Sequence, residues 1–371
     1  MSSVRVYIGT YTHGESRGIY LLEFDGSSGR FVSGPVLAGG TENPSFLAIH
    51  PNGRLMYAVN ELKTYQGEPT GAVSAFEIDA ATGRLTLLNQ QPSEGTDPCH
   101  LVVDAAGRNV LVANYTSGTV AVFPLFPDGR LGPASAVRRR TGSGPVLGRQ
   151  EGPHAHMIAL DESGRFALWT DLGTDSILID RFDGTAGTLE PNDPGRVGVQ
   201  PGSGPRHLAW HPSRHAIYLL NELSSTVSAF RFDAHRGALE IFQTASARAA
   251  GAAGETIAAE IAVSPDGRFL YASNRGDDDI AMFAIDESTL ALMPAGHVRT
   301  GGRGPRSFAI DPSGRWLVAA NEGSDSLVAF GLDPGSGVLS VVGPHVRVPS
   351  PVCVLFAPSS RSSAGGRPRV R

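Results

Sequence analysis

A short pattern recurs six times along the chain and constrains the fold more than any other feature. Each copy contains an apolar strand, a tight turn and a second apolar strand that ends in Asn or Asp. Neighbouring turns are 47 to 57 residues apart, and their central positions are Gly53, Gly107, Gly164, Arg214, Gly267 and Gly314. A period near 50 residues built from short strands is typical of a β-propeller, in which similar sheets surround a central axis.

A second recurring segment, an aromatic strand that usually ends in Asp, indicates the number of blades. It occurs seven times, once more than the full hairpin. The missing first strand matches PVCVLFAP near the C-terminus, and VYIGTYT near the N-terminus supplies the next strand of the same blade. We therefore predict an all-β fold, a seven-bladed β-propeller with four-stranded blades. Its ring is closed by N- and C-terminal strands that share one blade, which removes open sheet edges.

Composition and charge indicate where the protein is located and which partners it can bind. The propeller is expected to span residues 1–357, and the Ser-, Gly- and Arg-rich segment 358–371 is expected to be disordered. The net charge of −5 argues against nucleic-acid binding, and no apolar run or signal peptide indicates a membrane. Cys99 and Cys353 fall on inner strands of different blades, so we expect no disulfide and a cytoplasmic location. We also expect a monomer or weak homodimer without a cofactor, and a solvated loop at Arg138–Arg140.

Comparing the copies separates structural positions from candidate site positions. The first two strands of a blade are antiparallel, so the start of one and the end of the other share a rim of the disc. The uniform Asn or Asp at the second strand's end suggests a structural role in bonding backbone. Polar residues that differ between blades are better candidates for a site. On this rim they are Glu61, Glu222, Glu260, Glu322, Arg206, Arg275, Arg306, His100, His154, His156 and His207.

The residue types at this rim favour an anionic ligand and proton transfer. Arginines that converge on a channel mouth can bind phosphate or carboxylate with two parallel hydrogen bonds. Histidine adds a group that exchanges a proton near neutral pH. The rim therefore has the side chains that opening an anionic ester would need.

Four segments resemble a known family, the seven-bladed lactonases, which include the bacterial propeller-type 6-phosphogluconolactonases and the related carboxy-cis,cis-muconate lactonizing enzymes. The similarity extends over residues 4–357 and is carried by VYIGTYT, RQEGPHAH, GSGPRHLAWHP with NEL, and AAEIAVSPDGRFLYASNRGDDDIAMF. It implies hydrolysis of 6-phospho-D-glucono-1,5-lactone to 6-phosphogluconate in the pentose phosphate pathway. It also implies that the site includes Arg206, Glu222, Arg275 and either His154 or His156.

From these roles we derive a hypothesis for the reaction. His156, or else His154, would act as the general base for water. Arg275 would polarise the lactone carbonyl, and Glu222 would orient an arginine or the histidine. The phosphate would bind Arg206, together with Arg306. His100, His207 and Glu260 are further candidates for contact with the substrate.

Several alternatives remain open. The His154-x-His156 pair also occurs at metal sites, although no third ligand is evident. His100 and His207 could be structural hydrogen-bonding residues, Arg306 could pair with Glu322, and Glu61 or Glu260 could be structural partners of the arginines. Cys99 is not expected to be a nucleophile, because strand alternation places it and its neighbour His100 on opposite faces. The function could also be a reaction on another anionic lactone, such as a carboxymuconate derivative, or that of a non-catalytic interaction scaffold.

Overall fold

The computed structural model describes residues 3–358 and confirms the seven-bladed propeller. Within that range the secondary structure consists of strands and one short 3-10 helix, Glu322–Ser324. The predicted disordered tail lies almost entirely at positions 359–371, outside the described residues. No helix in the described range has the length and apolarity that a membrane crossing requires.

Blade 1 contains both ends of the described chain, as predicted. Strand β1 (Ser3–Thr10) pairs on one side with β2 (Gly18–Asp25) and on the other with the last strand, Pro351–Phe356. The outer edge of this blade is split into β3 (Arg30–Phe31) and β4 (Val36–Gly40), which both pair with β2. The C-terminal segment is therefore the innermost strand of a sheet that the N-terminus begins.

Each of the other six blades is built from four consecutive antiparallel strands. The strands of blades 2 to 4 are β5 (Leu47–Ile49), β6 (Leu55–Asn60), β7 (Ala72–Ile78), β8 (Leu85–Pro92), β9 (Pro98–Val103), β10 (Asn109–Asn114), β11 (Thr119–Pro124), β12 (Ala136–Arg139), β13 (Ala155–Leu160), β14 (Phe166–Asp171), β15 (Ser176–Asp183) and β16 (Thr188–Gly198). Those of blades 5 to 7 are β17 (Pro205–Trp210), β18 (Ala216–Asn221), β19 (Thr226–Asp233), β20 (Ala238–Ser246), β21 (Ile257–Val263), β22 (Phe269–Arg275), β23 (Asp279–Ile285), β24 (Leu292–Arg299), β25 (Pro305–Ile310), β26 (Trp316–Asn321), β27 (Ser326–Leu332) and β28 (Leu339–Arg347), and the last strand, Pro351–Phe356, is β29.

The innermost strands form a closed ring around the axis. Each one contacts its neighbours in the order β29, β5, β9, β13, β17, β21, β25 and back to β29. The apolar side chains are buried between the faces of adjacent blades, where the described residues form one cluster for each of the seven interfaces. The core is thus distributed around the ring, and the polar rims are left for other roles.

A repeated tyrosine ties neighbouring blades together. In four blades a buried tyrosine donates its hydroxyl to a backbone carbonyl of the outer hairpin of the next blade. These bonds, 2.8–3.0 Å long, join Tyr7 to Gly83, Tyr57 to Gly129, Tyr218 to Leu290 and Tyr271 to Gly337. A buried hydroxyl needs such a partner, so these contacts fix the rotation of one blade against the next.

Two predictions about local structure can be compared with the structure. The uniform residue at the end of the second strand is structural, as expected: Asn114 and Asn274, for example, donate to backbone carbonyls 2.8 and 2.7 Å away. The expected loop at Arg138–Arg140 is wrong for its first two residues, which belong to strand β12. Arg138 pairs there with the buried Asp180 at 3.3 Å.

Candidate functional site

A β-bulge interrupts the inner strand at the same rim in six of the blades described. The register shifts surround Val352, Cys99, His156, Arg206, Ala259 with Glu260, and Arg306. A bulge changes the direction of side chains and is common at the rims of closed sheets. Simple alternation is therefore wrong here, because the sequence neighbours Arg206 and His207 both line one cavity at the channel mouth.

This channel-mouth cavity collects most of the residues predicted from the sequence. It has a volume of about 20 Å³. Predicted site residues in its wall are His156, Arg206, His207, Glu260 and Arg306, joined by Tyr11, Ser45, Phe46, Glu61, Cys99 and Val352. Glu222 lies behind this wall and pairs with Arg206. Arg275 pairs in turn with Glu222.

Glu222 is the centre of an arginine cluster formed by Arg149, Arg206 and Arg275. Its Oε1 accepts from Nη2 of Arg149 at 2.5 Å, and its Oε2 accepts from Nη1 of Arg206 at 2.6 Å. Nη2 of Arg275 lies 3.1 Å from the same Oε2. Burial alone raises the pKa of Glu222, but the charges of the three arginines, that of Arg275 first, outweigh it and hold this pKa well below its usual range. One carboxylate therefore faces three cations, so this cluster has a net positive charge and attracts anions.

His156 contacts this cluster through one ring nitrogen and Cys99 through the other. Its Nε2 lies 2.5 Å from Nη1 of Arg206, and its Nδ1 lies 3.8 Å from Sγ of Cys99. A guanidinium can only donate, so Nε2 is the acceptor in this contact. Burial and the charge of Arg206 hold the pKa of His156 well below its usual range, so the ring is neutral at pH 7.

His207 and Glu260 form a second pair in the cavity wall. Nδ1 of His207 lies 2.9 Å from Oε1 of Glu260, which also accepts the backbone N–H of Ile261 at 3.0 Å. Burial lowers the pKa of His207, and the negative charge of Glu260 opposes this effect. Among the described residues, Nε2 of His207 has no hydrogen-bond partner.

A third network closes the cavity from the blade that contains the chain ends. Nη2 of Arg306 donates to the hydroxyl of Tyr11 at 2.7 Å, and that hydroxyl donates to Glu61 at 2.9 Å. The expected partner Glu322 is more distant, with 3.8 Å between Nη1 of Arg306 and its carboxylate. Burial raises the pKa of Tyr11, which keeps its hydroxyl protonated.

The remaining two predicted residues lie beside the cavity. The His154 ring stacks on Tyr115 with centroids 4.6 Å apart, and its Nδ1 donates to the Tyr115 carbonyl at 3.1 Å. His100 packs against Phe46 at 4.1 Å and against His207 at 5.5 Å. Burial holds the pKa of His100 well below its usual range. No group of metal-binding side chains is present among the described residues.

Arg149 and Tyr11 belong to the site but were not singled out from the sequence. Both occur in segments that carry the family likeness, RQEGPHAH and VYIGTYT. The comparison of the six complete hairpins did not select them, because Arg149 lies in the connection between blades 3 and 4 and Tyr11 belongs to the blade that both chain ends share. The available signal for Arg149 was its place in a shared segment, and Tyr11 also holds in blade 1 the position that Glu222 holds in blade 5.

Comparisons with known proteins agree with this architecture. The family model described as "Lactonase, 7-bladed beta-propeller" matches residues 5–356. The chain is 37% identical to the 6-phosphogluconolactonase of Bacillus subtilis over 94% of this chain and 97% of that relative. It is 34% identical to a 6-phosphogluconolactonase of Formosa agariphila, covering 82% of this chain and 85% of that one.

A solved structure extends the likeness to three dimensions. The periplasmic gluconolactonase of Pseudomonas aeruginosa superposes with a TM-score of 0.90 at 34% identity, covering 96% of this chain and 100% of that one. Fold, sequence and site segments thus agree over almost the whole described range. The chain belongs to the lactonase family of seven-bladed β-propellers.

Proposed function

We propose that this protein hydrolyses 6-phospho-D-glucono-1,5-lactone to 6-phosphogluconate, a step of the pentose phosphate pathway, at this mouth of the channel. One observation carries the proposal: Arg206, which belongs to the arginine cluster around Glu222, lines the same small cavity as the neutral imidazoles of His156 and His207. The names of the Bacillus and Formosa relatives support the same substrate.

The chemistry needs few groups. Water must attack the carbonyl carbon, the oxyanion that forms must be stabilised, and the ring oxygen must receive a proton. Arg275 is 14% exposed, and burial lowers its pKa to about 9 against the opposing charge of Glu222, so it stays cationic at neutral pH. We assign the oxyanion to Arg275, since a positioned donor of this kind contributes roughly 10²–10³-fold in rate. A buried neutral imidazole takes the proton from water.

The phosphate is best matched by the more accessible arginines. The side chain of Arg149 is 34% exposed and that of Arg306 is 21% exposed, whereas that of Arg206 is 4% exposed. Arg206 also donates Nε to the Ala259 carbonyl and Nη1 to Glu222. We therefore propose Arg149 and Arg306 as the phosphate ligands, with Arg206 as the group that holds the cluster together. Direct contact between Arg206 and the phosphate stays a prediction.

A second substrate is also supported. The Pseudomonas relative is named a gluconolactonase, which favours the same lactone without its phosphate. Opening of 6-phosphogluconolactone, gluconolactone and a muconolactone can be compared in one assay of proton release, after subtraction of the spontaneous rate. We expect the highest kcat/KM with the phosphorylated lactone. Equal values for the two gluconolactones would contradict a phosphate site, and no acceleration of any lactone would favour an interaction scaffold.

The compartment and the assembly state remain proposals. Both cysteines are free and buried, which is compatible with the expected cytoplasmic location. Cell fractionation tests that location. Light scattering tests the expected monomer or weak homodimer, and a stable larger assembly would contradict it.

A further inference from the structure

We propose that His207 is the general base of this site, that Glu260 positions it, and that the channel-mouth cavity holds the water that attacks the lactone. The inference rests on the proposed lactonase function and names the residue that performs its central proton transfer. It transfers that role from His156 to a neighbouring imidazole in the same cavity wall.

The hydrogen bond to Glu260 determines which nitrogen of His207 is free. A carboxylate only accepts, so the 2.9 Å contact requires the hydrogen to be on Nδ1. In the neutral ring, Nε2 then carries a lone pair. Glu260 is itself held by the Ile261 N–H at 3.0 Å, which fixes the ring orientation. This is how a carboxylate prepares a histidine to act as a base.

His156 is in the opposite situation. Its Nε2 lone pair already accepts from Arg206 at 2.5 Å, and that arginine is bound to Glu222 at 2.6 Å. Taking a proton at Nε2 would place an imidazolium against a guanidinium, which like-charge repulsion opposes. His156 is better suited to holding Arg206 in place than to accepting a proton from water.

The dimensions of the cavity fit a water molecule. A volume of about 20 Å³ is enough for one water, which needs roughly 10–15 Å³ by the same measure. A buried water also needs two to four polar partners. The wall contains His207, Arg206, Arg306 and Glu61. Nε2 of His207 is itself buried and has no partner among the described residues, so the ring must turn slightly toward the cavity to reach this water. The lactone, which is much larger, would approach from the open side of the mouth.

The proposed step balances as a simple hydrolysis. The water oxygen forms a bond to the lactone carbonyl carbon while Nε2 of His207 takes one of its protons. The tetrahedral intermediate then breaks the bond between that carbon and the ring oxygen. The imidazolium returns its proton to the departing ring oxygen, and the new carboxylic acid releases its own proton to solvent.

Charged groups around His207 determine the pH range of this step. Glu260 and Glu222 raise its pKa, whereas burial and Arg206 lower it, and burial is the largest effect. The rings of His100, His156 and Phe46 also surround it, at 5.5, 5.2 and 6.1 Å. The net pKa is below the usual value for histidine, so the base is available at neutral pH. On the acid side, the rate should fall as the pH drops through this lowered pKa.

The test uses His207→Asn, because the Asn amide can still donate to Glu260 from the place of Nδ1 but has nothing at the place of Nε2. We expect kcat to fall by about 10²–10⁴-fold with KM nearly unchanged, and the acid limb of the pH–rate profile to disappear. Glu260→Gln should lower kcat less and move the acid limb to lower pH, because it removes a charge that raises the pKa of His207.

The matched control is His211→Gln. His211 directly follows the strand that carries His207, and its Nε2 contacts the Gly267 carbonyl at 3.0 Å at the opposite rim. This variant should keep the wild-type rate and profile. Thermal unfolding of each variant shows that it folds, and His156→Gln should keep an acid limb.

The outcomes separate the two proposals. If wild type opens the lactone and His207→Asn keeps its kcat, the assignment of His207 is overturned and the lactonase function stands. If only His156→Gln loses the acid limb of the pH–rate profile, the assignment of His207 is likewise overturned and the lactonase function stands. If wild type opens none of the lactones, both proposals are overturned.

Discussion

At the scale of single residues, Glu222 supports the whole arginine cluster. Its carboxylate is 3% exposed and contacts three arginines. Removing one partner of a buried ion pair leaves the other charge uncompensated, which typically lowers the free energy of unfolding by about 3–5 kcal/mol. Glu222→Gln should therefore lower the free energy of unfolding by about that amount, as measured by urea denaturation.

Glu322→Gln provides the matched control. Its carboxylate is 27% exposed and lies 3.8 Å from Arg306. Exposed pairs of this kind contribute about 1 kcal/mol or less. Equal losses in the two variants would show that Glu222 is not the centre of the cluster.

Arg149 is expected to distinguish phosphorylated from unphosphorylated substrate. A hydrogen bond to a charged group contributes about 1.5–3 kcal/mol. Arg149→Ala should therefore raise KM for 6-phosphogluconolactone by roughly 10- to 150-fold and leave that for gluconolactone within a small factor. Steady-state kinetics with both lactones measures the difference.

The control for this prediction is Arg303→Ala. It removes the same charge from the same rim, where Arg303 contacts the Gly323 carbonyl at 3.0 Å and not Glu222. An equal rise of KM in both variants would mean that total charge, and not a specific contact, binds the phosphate.

The sequence could identify residues of the site but not their contacts. Arg206, Glu222 and Arg275 were recognisable because the residue type at their positions varies from blade to blade. Arg149 comes from outside the repeated hairpins, so no comparison of blades could select it. Tyr11 holds in blade 1 the position that Glu222 holds in blade 5, and it was missed because only the six complete hairpins were compared. His156 pairs with Arg206, and His207 with Glu260, between adjacent blades. These pairings depend on the direction that the bulge in each inner strand gives to the side chain, and no local sequence pattern contains that information.

At the scale of elements, the tight turn of the inner hairpin needs the left-handed backbone region. Gly53 has a φ of 70° and Gly107 a φ of 65°. A Cβ on Gly107 would lie 2.3 Å from Nε2 of His50, whereas a Cβ on Gly53 would meet nothing within 4 Å. Gly53→Ala should cost about 1–2 kcal/mol for the backbone alone.

Gly107→Ala should cost about 1–3 kcal/mol more than Gly53→Ala, because it also creates a clash between blades. Chemical denaturation of the two variants isolates this difference. If both variants lose the same stability, the predicted clash between the added Cβ and His50 does not occur.

The inner and outer strands differ in how well their sequence predicts them. The inner strands have strong apolar periodicity and were predicted correctly. The outer strand β12 alternates half-buried and exposed residues and ends in two of three consecutive arginines, which resembles a loop. Outer strands contribute little to the core, so their sequence carries little of the signal on which a prediction depends.

At the scale of the whole molecule, closure depends on the last strand. β29 covers β1 and supplies Cys353 and Val354 to the interfaces on both sides of blade 1. Removing it exposes a sheet edge and opens two clusters. A chain that ends at Ser350 should therefore have a much lower midpoint of thermal unfolding and should aggregate.

The reference for this truncation is a chain that ends at Pro358 and keeps every described strand. Differential scanning calorimetry and gel filtration make the comparison. Equal midpoints for the two chains would show that the ring does not need the shared blade.

The central claim is that an anionic lactone binds at the mouth formed by the Glu222 cluster. A crystal structure with the product 6-phosphogluconate tests it most directly. We expect the phosphate to contact Arg149 and Arg306 and the carboxylate to lie beside Arg275 and the channel-mouth cavity. Binding instead in the outer notch of about 250 Å³ lined by Arg138, Arg140 and Arg196, or at the opposite mouth, would contradict the account.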